Sequence, residues 1–288
     1  MTPAELITLA LKASIITMVF ALGLRTSWSD VTYLLRHPGQ LAKSLLSMNL
    51  IMPVVASIIV LVFSLRPPVS MVLIALSLCP TPPVLPNKMA KAGGNPSYGV
   101  SLMAVCAVAA IVTIPLLVEV IERLFGIPLH MPPAAVAKLV AIMMIVPLVA
   151  GVIVHRLAGG LAETLSKWLS RIATVVLLCG LAAILVASWG AMVDQIGGGT
   201  LIAIAAFCVV GLLVGHLLGG PDSTDRTVLA IATASRHPGL AIAIAQVNFP
   251  DQKGLLPTVL IYLLVSAICS LPYVTWRKRL GAALPVSV

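Results

Sequence analysis

Residues 78–88 read Leu-Cys-Pro-Thr-Pro-Pro-Val-Leu-Pro-Asn-Lys and lie in the middle of a long apolar run. The stretch holds four prolines within seven positions: Pro80, Pro82, Pro83 and Pro86. Each proline removes a backbone N–H donor, and its ring clashes with the preceding turn of a helix. The sequence therefore predicts a helix that is broken near Pro80–Pro86.

A second break is predicted at residues 232–240, which read Ala-Thr-Ala-Ser-Arg-His-Pro-Gly-Leu. Pro238 and Gly239 interrupt another apolar run, and Arg236 and His237 stand directly before them. Non-helical backbone at membrane depth is tolerated only where it is buried in protein or lines a water-filled cavity. A lone proline kink would have a purely structural meaning. Two interruptions at matching places in the chain point instead to the substrate site of an inverted-repeat transporter.

The composition around these breaks is that of a membrane protein. Of the 288 residues, 60% are apolar and 9% are charged, against roughly 25% charged residues in soluble domains. Crossing a bilayer takes about 20 consecutive apolar residues, and such runs predict an all-α membrane protein with nine transmembrane helices. The predicted helices cover 5–24, 40–63, 68–91, 96–122, 133–155, 165–190, 196–219, 224–247 and 254–276.

The spacing of these helices predicts an inverted repeat. Matching helices one to four with helices six to nine pairs the two broken helices, the third and the eighth, with each other. The predicted architecture is a single transmembrane domain over 1–288, with one repeat at about 5–122 and a second at about 165–276. Helix 133–155 lies between the repeats without a partner. The two broken helices are expected to cross each other at mid-membrane.

The placement of lysine and arginine predicts the orientation, because cytoplasmic loops carry an excess of both. With the C-terminus in the cytoplasm, twelve of these residues fall on the cytoplasmic side and four on the outer side. We therefore expect a multi-pass protein of a bacterial inner membrane, embedded in the lipid bilayer with its N-terminus outside. The first apolar run is expected to be a true span, because 1–5 lacks the basic residues of a signal peptide. The net charge of +9 then reflects topology, and no nucleic-acid partner is predicted.

Positive charge dominates the two broken segments, which contain no Asp or Glu. An intramembrane cation such as Arg236 needs an internal partner or an anionic ligand, and helix N-termini at the breaks add positive dipole ends. We therefore predict a small organic anion as the ligand, without a cofactor or a metal. The predicted substrate-binding residues are Asn49, Asn87, Lys88, Tyr98, Ser235, Arg236 and His237, and the predicted helix-break residues are Pro80, Pro82, Pro83, Pro86, Pro238 and Gly239.

Two of these residues also have another interpretation. Lys88 could anchor the cytoplasmic end of its helix by snorkelling. His237 could exchange a proton near neutral pH, or it could be a neutral histidine that only makes hydrogen bonds.

Several segments resemble the bile acid:sodium symporter family. The stretch from Leu78-Cys79-Pro80 to Gly94-Asn95-Pro96, followed by an apolar helix that ends at Pro115, resembles the broken fourth helix and the fifth helix of that family. The ends of two earlier helices and the segment after the second break also resemble it, at Phe20-Ala21-Leu22-Gly23-Leu24, Met52-Pro53 and Gly239-Leu240-Ala241. The resemblance implies inverted repeats, and it implies nine helices because the first of the family's ten is missing.

The residues that hold sodium in that family are replaced here. The family's ligands at the second break fall on Ala232, Arg236 and His237, and those on the helix after the first break fall on Gly99 and Met103. Met48 stands where the family's third helix supplies a glutamine. Hard cations need several oxygen ligands, so these departures predict that sodium is not the coupling ion. Arg236 then either contacts the substrate or permanently occupies the lost sodium position, with carbonyls of the broken helices as acceptors.

We predict a secondary transporter rather than an enzyme. Metalloprotease, nucleophile-elbow and phosphate-loop motifs do not occur in the sequence. The five cysteines lie in apolar runs without the spacing of metal ligands. The alternative is a membrane sensor or regulatory subunit that binds the ligand without moving it.

Overall fold

A computed structural model describes residues 3–125 and 131–283, and all regular secondary structure in these ranges is helical. The helices are α1 (Pro3–Gly23), α2 (Trp28–Val31), α3 (Pro38–Leu45), α4 (Met52–Val62), α5 (Pro67–Leu78), α6 (Leu85–Lys91), α7 (Pro96–Phe125), α8 (Pro133–Val140), α9 (Val146–Ala187), α10 (Trp189–Gln195), α11 (Thr200–Leu218), α12 (Ser223–Ala234), α13 (Pro238–Asn248) and α14 (Leu255–Ala283). A 3₁₀ turn, Tyr33–Arg36, precedes α3. Two π-helical segments, Leu46–Ile51 and Ala141–Ile145, join α3 to α4 and α8 to α9.

Seven helical stretches within the described ranges are long and apolar enough to cross a membrane. They are Glu5–Gly23, Pro38–Val62, Pro96–Leu124, Pro133–Ala187, Thr200–Leu218, Ser223–Asn248 and Leu255–Leu280, and Pro67–Leu78 is a shorter apolar helix. The prediction of an all-α membrane protein is confirmed.

Proline determines where several of these helices begin. Pro67, Pro96 and Pro133 open α5, α7 and α8, and Pro238 opens α13. Proline suits this position because the first N–H groups of a helix have no intrahelical acceptor, and its fixed φ is already helical. The prolines that mark boundaries between predicted helices are therefore also the first residues of the helices that follow.

Helix α9 consists of two helical arms that meet at Gly159, whose φ of 43° and ψ of −113° are not helical. This residue lies within the connection predicted between helices 133–155 and 165–190, and the helical arms extend to either side of it. Only glycine adopts such a positive φ without strain, and the leucines and alanines on either side favour helix. The chain reverses at this glycine, because Gly151 lies against Gly23 at the end of α1, whereas Gly180 lies against Leu11 and Ile7 in its first half.

Helix α1 and the two arms of α9 form one layer of the molecule. His155 Nδ1 lies 2.9 Å from Leu24 O, and Ser166 Oγ donates to Ala21 O at 2.5 Å. The interrupted helices α5–α6 and α12–α13 pack instead among α4, α7, α11 and α14, where the largest apolar core lies. The molecule therefore divides into an α1–α9 layer and a group that holds both interruptions.

Two glycines of α11 and Gly219 directly after it allow α12 to approach very closely. A Cβ at Gly215 would lie 2.4 Å from Leu229 O, and one at Gly219 would lie 2.4 Å from Arg226 Cα. At Gly211 a Cβ would lie 2.8 Å from Ala234 Cα. Glycines spaced four residues apart are common in glycine-rich spans, so this spacing alone predicts little. In this structure the spacing lets α11 pack closely against α12, the helix that precedes the second break.

Gly215→Ala is expected to lower the free energy of unfolding by about 1–3 kcal/mol, the usual cost of overpacking a close contact. The neighbouring atoms are backbone atoms of α12, which cannot rotate away. Thermal unfolding of the purified protein in detergent measures the effect. Gly190→Ala is the matched control, because a Cβ at Gly190 would meet nothing within 4 Å. Equal stability of the two variants would contradict the close packing of α11 on α12.

Candidate functional site

Both predicted interruptions are present, and they are in contact. Residues 79–84 separate α5 from α6, and residues 235–237 separate α12 from α13. The backbone N–H of His237 donates to the carbonyl oxygen of Pro80 at 2.9 Å. A main-chain hydrogen bond therefore joins the two interruptions directly.

The predicted break residues lie at these interruptions. Pro80, Pro82 and Pro83 are in the first irregular segment itself, and Pro86 is the second residue of α6. Pro238 and Gly239 are the first two residues of α13.

Arg236 is the largest fully buried side chain of the described chain and is 1% exposed. Its Nη1 donates to Cys79 O in the first interruption at 3.1 Å, and its Nη2 donates to Met48 O in the π-helical segment at 3.1 Å. Its Nε has no hydrogen-bond partner within the described ranges. The ion pairs formed by described residues are Glu119–Arg123 and Glu163–Lys167, so Arg236 is surrounded by carbonyls rather than carboxylates.

Proline explains why these two carbonyls are available. Cys79 O would normally bond to an N–H three or four residues later, but those positions are Pro82 and Pro83. Met48 O loses its donors in a similar way. The N–H of Met52 bonds to Ser47 O, and the residue that follows it, Pro53, has no N–H. Buried carbonyls without a donor are costly, and the guanidinium of Arg236 satisfies both.

Tyr262 of α14 closes the same site from another side. The backbone N–H of Arg236 donates to Tyr262 Oη at 2.6 Å, and the tyrosine hydroxyl donates to Ala234 O at 3.3 Å. The phenol therefore forms hydrogen bonds with two backbone groups at the end of α12, the N–H of Arg236 and the carbonyl oxygen of Ala234. Tyr262 could not be predicted as a site residue from the sequence, because it lies 26 residues after Arg236 in an ordinary apolar helix.

The other predicted site residues are distributed around the interruptions. Ser235 and His237 are buried beside Arg236, and His237 Nδ1 accepts the N–H of Leu240 at 3.2 Å as the cap of α13. Tyr98 is buried, and its hydroxyl lies 2.8 Å from Ser44 Oγ. Lys88 donates to Ser270 Oγ on α14 at 2.7 Å. Asn49 is half-buried in the π-helical segment.

A cavity of about 270 Å³ lies between the end of α1 and helices α6 and α7; its wall is mostly apolar, and it is called the polar cavity because Arg25 and Asp30 belong to that wall. Its wall includes Arg25, Thr26, Asp30, Pro86, Asn87 and Ser97. Of the predicted substrate-binding residues, Asn87 alone belongs to this wall. Arg236 and His237 are buried in the protein interior and are not part of this wall. A second cavity, of about 110 Å³, is almost entirely apolar and lies where α5, α7 and α13 meet.

Asp30 is held in its charged form at the edge of the polar cavity. Its Oδ2 accepts from the Ser27 backbone N–H at 2.9 Å and from Ser27 Oγ at 2.6 Å, and its Oδ1 accepts from Ser97 Oγ at 2.5 Å. Partial burial raises the pKa of this carboxyl, but the hydrogen bonds from Ser27 and Ser97 and the positive charge of Arg36 together outweigh it and lower the pKa below its usual value. Ser27 and Asp30 form a capping box.

A second polar cluster connects the starts of three helices. Asp225 of α12 is 6% exposed and accepts from Asn95 Nδ2 at 3.2 Å and from Gln40 Nε2 of α3. Asn95 also caps α7 by accepting the N–H of Tyr98 at 3.2 Å. This cluster could not be predicted from the sequence, because Asp225 lies 130 residues from Asn95.

The comparisons with known proteins agree with the sequence resemblance. A model of the sodium bile acid symporter family matches residues 13–196 of this chain. The chain is also 26% identical over 277 residues to BASS2, a probable sodium/metabolite cotransporter of chloroplasts from Oryza sativa subsp. japonica. That match covers 91% of this chain but 62% of the rice protein, so the chain spans less than two thirds of its relative's length. With the family model covering well over half of its residues, this chain belongs to the sodium bile acid symporter family.

Proposed function

We propose that this protein is a secondary transporter that moves a small organic anion across a membrane by alternating access. Members of its family are transporters rather than enzymes, and the rice relative is named for sodium/metabolite cotransport. The hydrogen bond between His237 N–H and Pro80 O carries the proposal, because it joins two interrupted helices in a membrane protein of this family. Such interruptions mark the substrate sites of inverted-repeat transporters.

The proposed architecture has nine spans in a single domain. A straight helix of 55 residues would be about 80 Å long, far more than the roughly 30 Å core of a bilayer. The stretch Pro133–Ala187, bent at Gly159, therefore supports two crossings. Helices α5 and α6 together supply one more. We propose that 5–122 and 165–276 are inverted repeats, with 133–155 between them and the two broken helices crossing at mid-membrane.

The proposed orientation places the N-terminus outside and the C-terminus in the cytoplasm of a bacterial inner membrane. The excess of lysine and arginine on one side, twelve against four, supports it. In this orientation the polar cavity beside Arg25 and Asp30 lies at the cytoplasmic end of the spans, where water and solutes reach it.

The proposed transport does not use sodium, because Arg236 serves as a fixed internal cation. Its guanidinium donates to Cys79 O and Met48 O at 3.1 Å, and carbonyls of this kind are typical ligands of hard cations. Ala232, Gly99 and Met103 offer no side-chain oxygen at positions where the family resemblance implies ligands. Of the two roles that the sequence left open for Arg236, these contacts favour permanent occupation of the lost ion's place.

The proposed substrate is an anion because the remaining polar groups beside the interruptions are cationic or neutral. Lys88, Asn87, Asn49, Tyr98, Ser235 and His237 stay the candidate substrate-binding residues, and none of them carries negative charge at neutral pH. Asn87 has the strongest support, since its side chain belongs to the wall of the polar cavity.

A membrane sensor or regulatory subunit is the second candidate function. The loss of the family's sodium ligands favours it as well, because a protein that only binds its ligand needs no coupling ion. In this form Arg236 would fix the two interrupted helices permanently, and the cavity would report binding without alternating access.

Purified protein in liposomes is expected to accumulate at least one carboxylate from a radiolabelled panel of lactate, pyruvate, succinate and cholate. The driving force is an imposed membrane potential and pH gradient, and protein-free liposomes are the control. A panel member that binds the protein in detergent but is not accumulated would contradict transport and support the sensor.

A further inference from the structure

Asp225, near the start of α12, is a buried carboxylate without a cation. It is 6% exposed, and no ion pair among the described residues includes it. Its oxygens accept instead from two neutral side-chain amides, those of Asn95 and Gln40. A buried charge is usually paired with an opposite one, because an isolated charge costs much free energy. Proton uptake would remove this charge.

The titratable groups that surround Asp225 do not neutralise it. They are Asp222 of the same helix, His37 directly before α3, and the phenols of Tyr33 and Tyr98. Of these, only His37 can become positive near neutral pH. His37 is exposed and stacks on Tyr33, with ring centroids 4.2 Å apart. Within the described ranges it forms no ion pair with Asp225.

The cations near the other sides of α12 are directed elsewhere. These groups and their partners are Arg277 of α14 with Thr227 Oγ1 and Ser223 O, Lys88 of α6 with Ser270, Arg226 with Gly220 O, and His216 of α11 with Tyr273. Residues four apart share one face of a helix. Asp225 lies midway between Ser223 and Thr227, so it points away from the face that Arg277 binds. Lys43 of α3 and Lys91 of α6 are exposed.

Gln40 supplies an acceptor that suits a protonated carboxyl. Its Oε1 is buried and has no hydrogen-bond partner in the part of the chain that the structure describes, while its Nε2 donates to Asp225. A protonated carboxyl carries an O–H donor that a carboxylate lacks. If the amide of Gln40 turns over, its oxygen can accept from this O–H. The same amide therefore suits both protonation states of Asp225.

The cluster joins the starts of three helices. Gln40 is in α3, Asn95 directly precedes α7, and Asp225 is the third residue of α12, which leads into the second interruption. In the proposed orientation all three helix starts lie on the cytoplasmic side. Hydrogen bonds to a charged acceptor are roughly twice as strong as neutral ones. The charge on Asp225 therefore determines how firmly the start of α12 is held against α3 and α7.

We propose that Asp225 is a proton-binding site, at which a proton from cytoplasmic water converts the carboxylate to a carboxyl group and loosens the start of α12 from α3 and α7. The proton binds one carboxylate oxygen and returns to the same water when the pH rises, so no other reactant is needed. In a transporter, this site makes the movement of the interrupted helices faster at acidic cytoplasmic pH. That consequence rests on the proposed function, whereas proton binding itself does not.

Infrared difference spectroscopy of the full-length protein in detergent tests proton binding without any substrate. On acidification from mildly alkaline to mildly acidic pH, wild-type protein is expected to gain a carbonyl band of a protonated carboxyl group that Asp225→Asn does not gain. Asp222→Asn is the matched control, because it makes the same change at an exposed carboxylate three residues away, and asparagine also caps a helix. It should keep the band. The site is wrong if wild-type protein shows no such band, or if the band persists in Asp225→Asn.

Hydrogen–deuterium exchange tests the loosening of α12. After correction for the intrinsic pH dependence of amide exchange, the protection of residues 224–230 in the wild type is expected to fall by about tenfold on acidification, because neutral hydrogen bonds replace charge-assisted ones. Protection that is equal at both pH values would overturn the loosening.

Gln40→Leu gives a second test that leaves the carboxylate in place. It removes the donor from α3, so residues 224–230 should already be less protected at alkaline pH, while the infrared band stays. Wild-type protection in Gln40→Leu would contradict the proposed hold of α3 on α12. Failure of every carboxylate to accumulate in liposomes would overturn transport, but it would leave the infrared and exchange results standing.

Discussion

Arg236→Ala is expected to lower the melting temperature of the ligand-free protein by on the order of 10 °C. The substitution removes two charge-assisted hydrogen bonds, each worth about 1.5–3 kcal/mol, and leaves Cys79 O and Met48 O buried without donors. It also leaves a void where the largest fully buried side chain lies. Relief from burying a charge opposes these losses, but the guanidinium already has carbonyl partners at 3.1 Å, so the net change is destabilising.

Arg236→Lys should restore part of this loss. An ammonium is a compact charge at the end of a flexible chain, and it lacks the rigid planar fork of arginine. It is expected to reach one of the two carbonyls but not both. Comparing Arg236→Lys with Arg236→Ala therefore separates the contribution of the positive charge to stability from the contribution of the planar guanidinium geometry.

Arg171→Ala is the control, because Arg171 lies at the surface over the ring of Trp168 and its loss leaves no buried carbonyl unpaired. Melting temperatures of the four proteins are measured in one detergent at one heating rate. If Arg236→Ala melts like the wild type but loses lactate binding, Arg236 contacts the substrate and is not a fixed internal cation.

The two interruptions could be predicted from sequence because their cause is local. Proline removes donors and blocks helix wherever it occurs, so Pro80–Pro86 and Pro238 indicate breaks without any knowledge of the fold. The positions of the prolines also predict which backbone carbonyls lose their hydrogen-bond donors. Pro82 and Pro83 identify Cys79 O as a carbonyl that loses its donors. Pro53 deprives Met48 O only because the π-helical segment shifts the hydrogen bonds by one residue, which the sequence does not show.

The partners of Arg236 could not be predicted, because they come from three separate segments. Met48 lies 188 residues from Arg236 and Cys79 lies 157 residues away. The contacts depend on how the π-helical segment and the two interruptions pack together, and no periodicity encodes that packing. The cavity beside Arg25 was missed for the same reason, although Asn87 on its wall was predicted.

The reversal at Gly159 falls within the connection predicted between helices 133–155 and 165–190. The short length of that connection was not predicted, because leucine, alanine and glutamate continue the helix to within one residue of the turn. A single glycine with positive φ is enough to reverse the chain. The predicted count of nine spans and the inverted repeat stay predictions.

Transport is expected to proceed at the same rate with and without sodium. A sodium ion next to the Arg236 guanidinium would bring two like charges to about 4 Å, which costs about 4 kcal/mol at the effective dielectric of a protein. That cost corresponds to roughly a thousandfold loss of affinity. The Arg236 site would also provide few oxygen ligands for the ion, because Ala232 and Met48 have none in their side chains.

Sodium replacement in proteoliposomes tests the central claim most directly. The initial rate of uptake of the accumulated carboxylate is measured with sodium chloride and with choline chloride on both sides, at a membrane potential fixed by potassium and valinomycin. A fixed internal cation at Arg236 predicts equal rates in the two salts. An uptake that collapses in choline and returns when sodium is added would contradict the account.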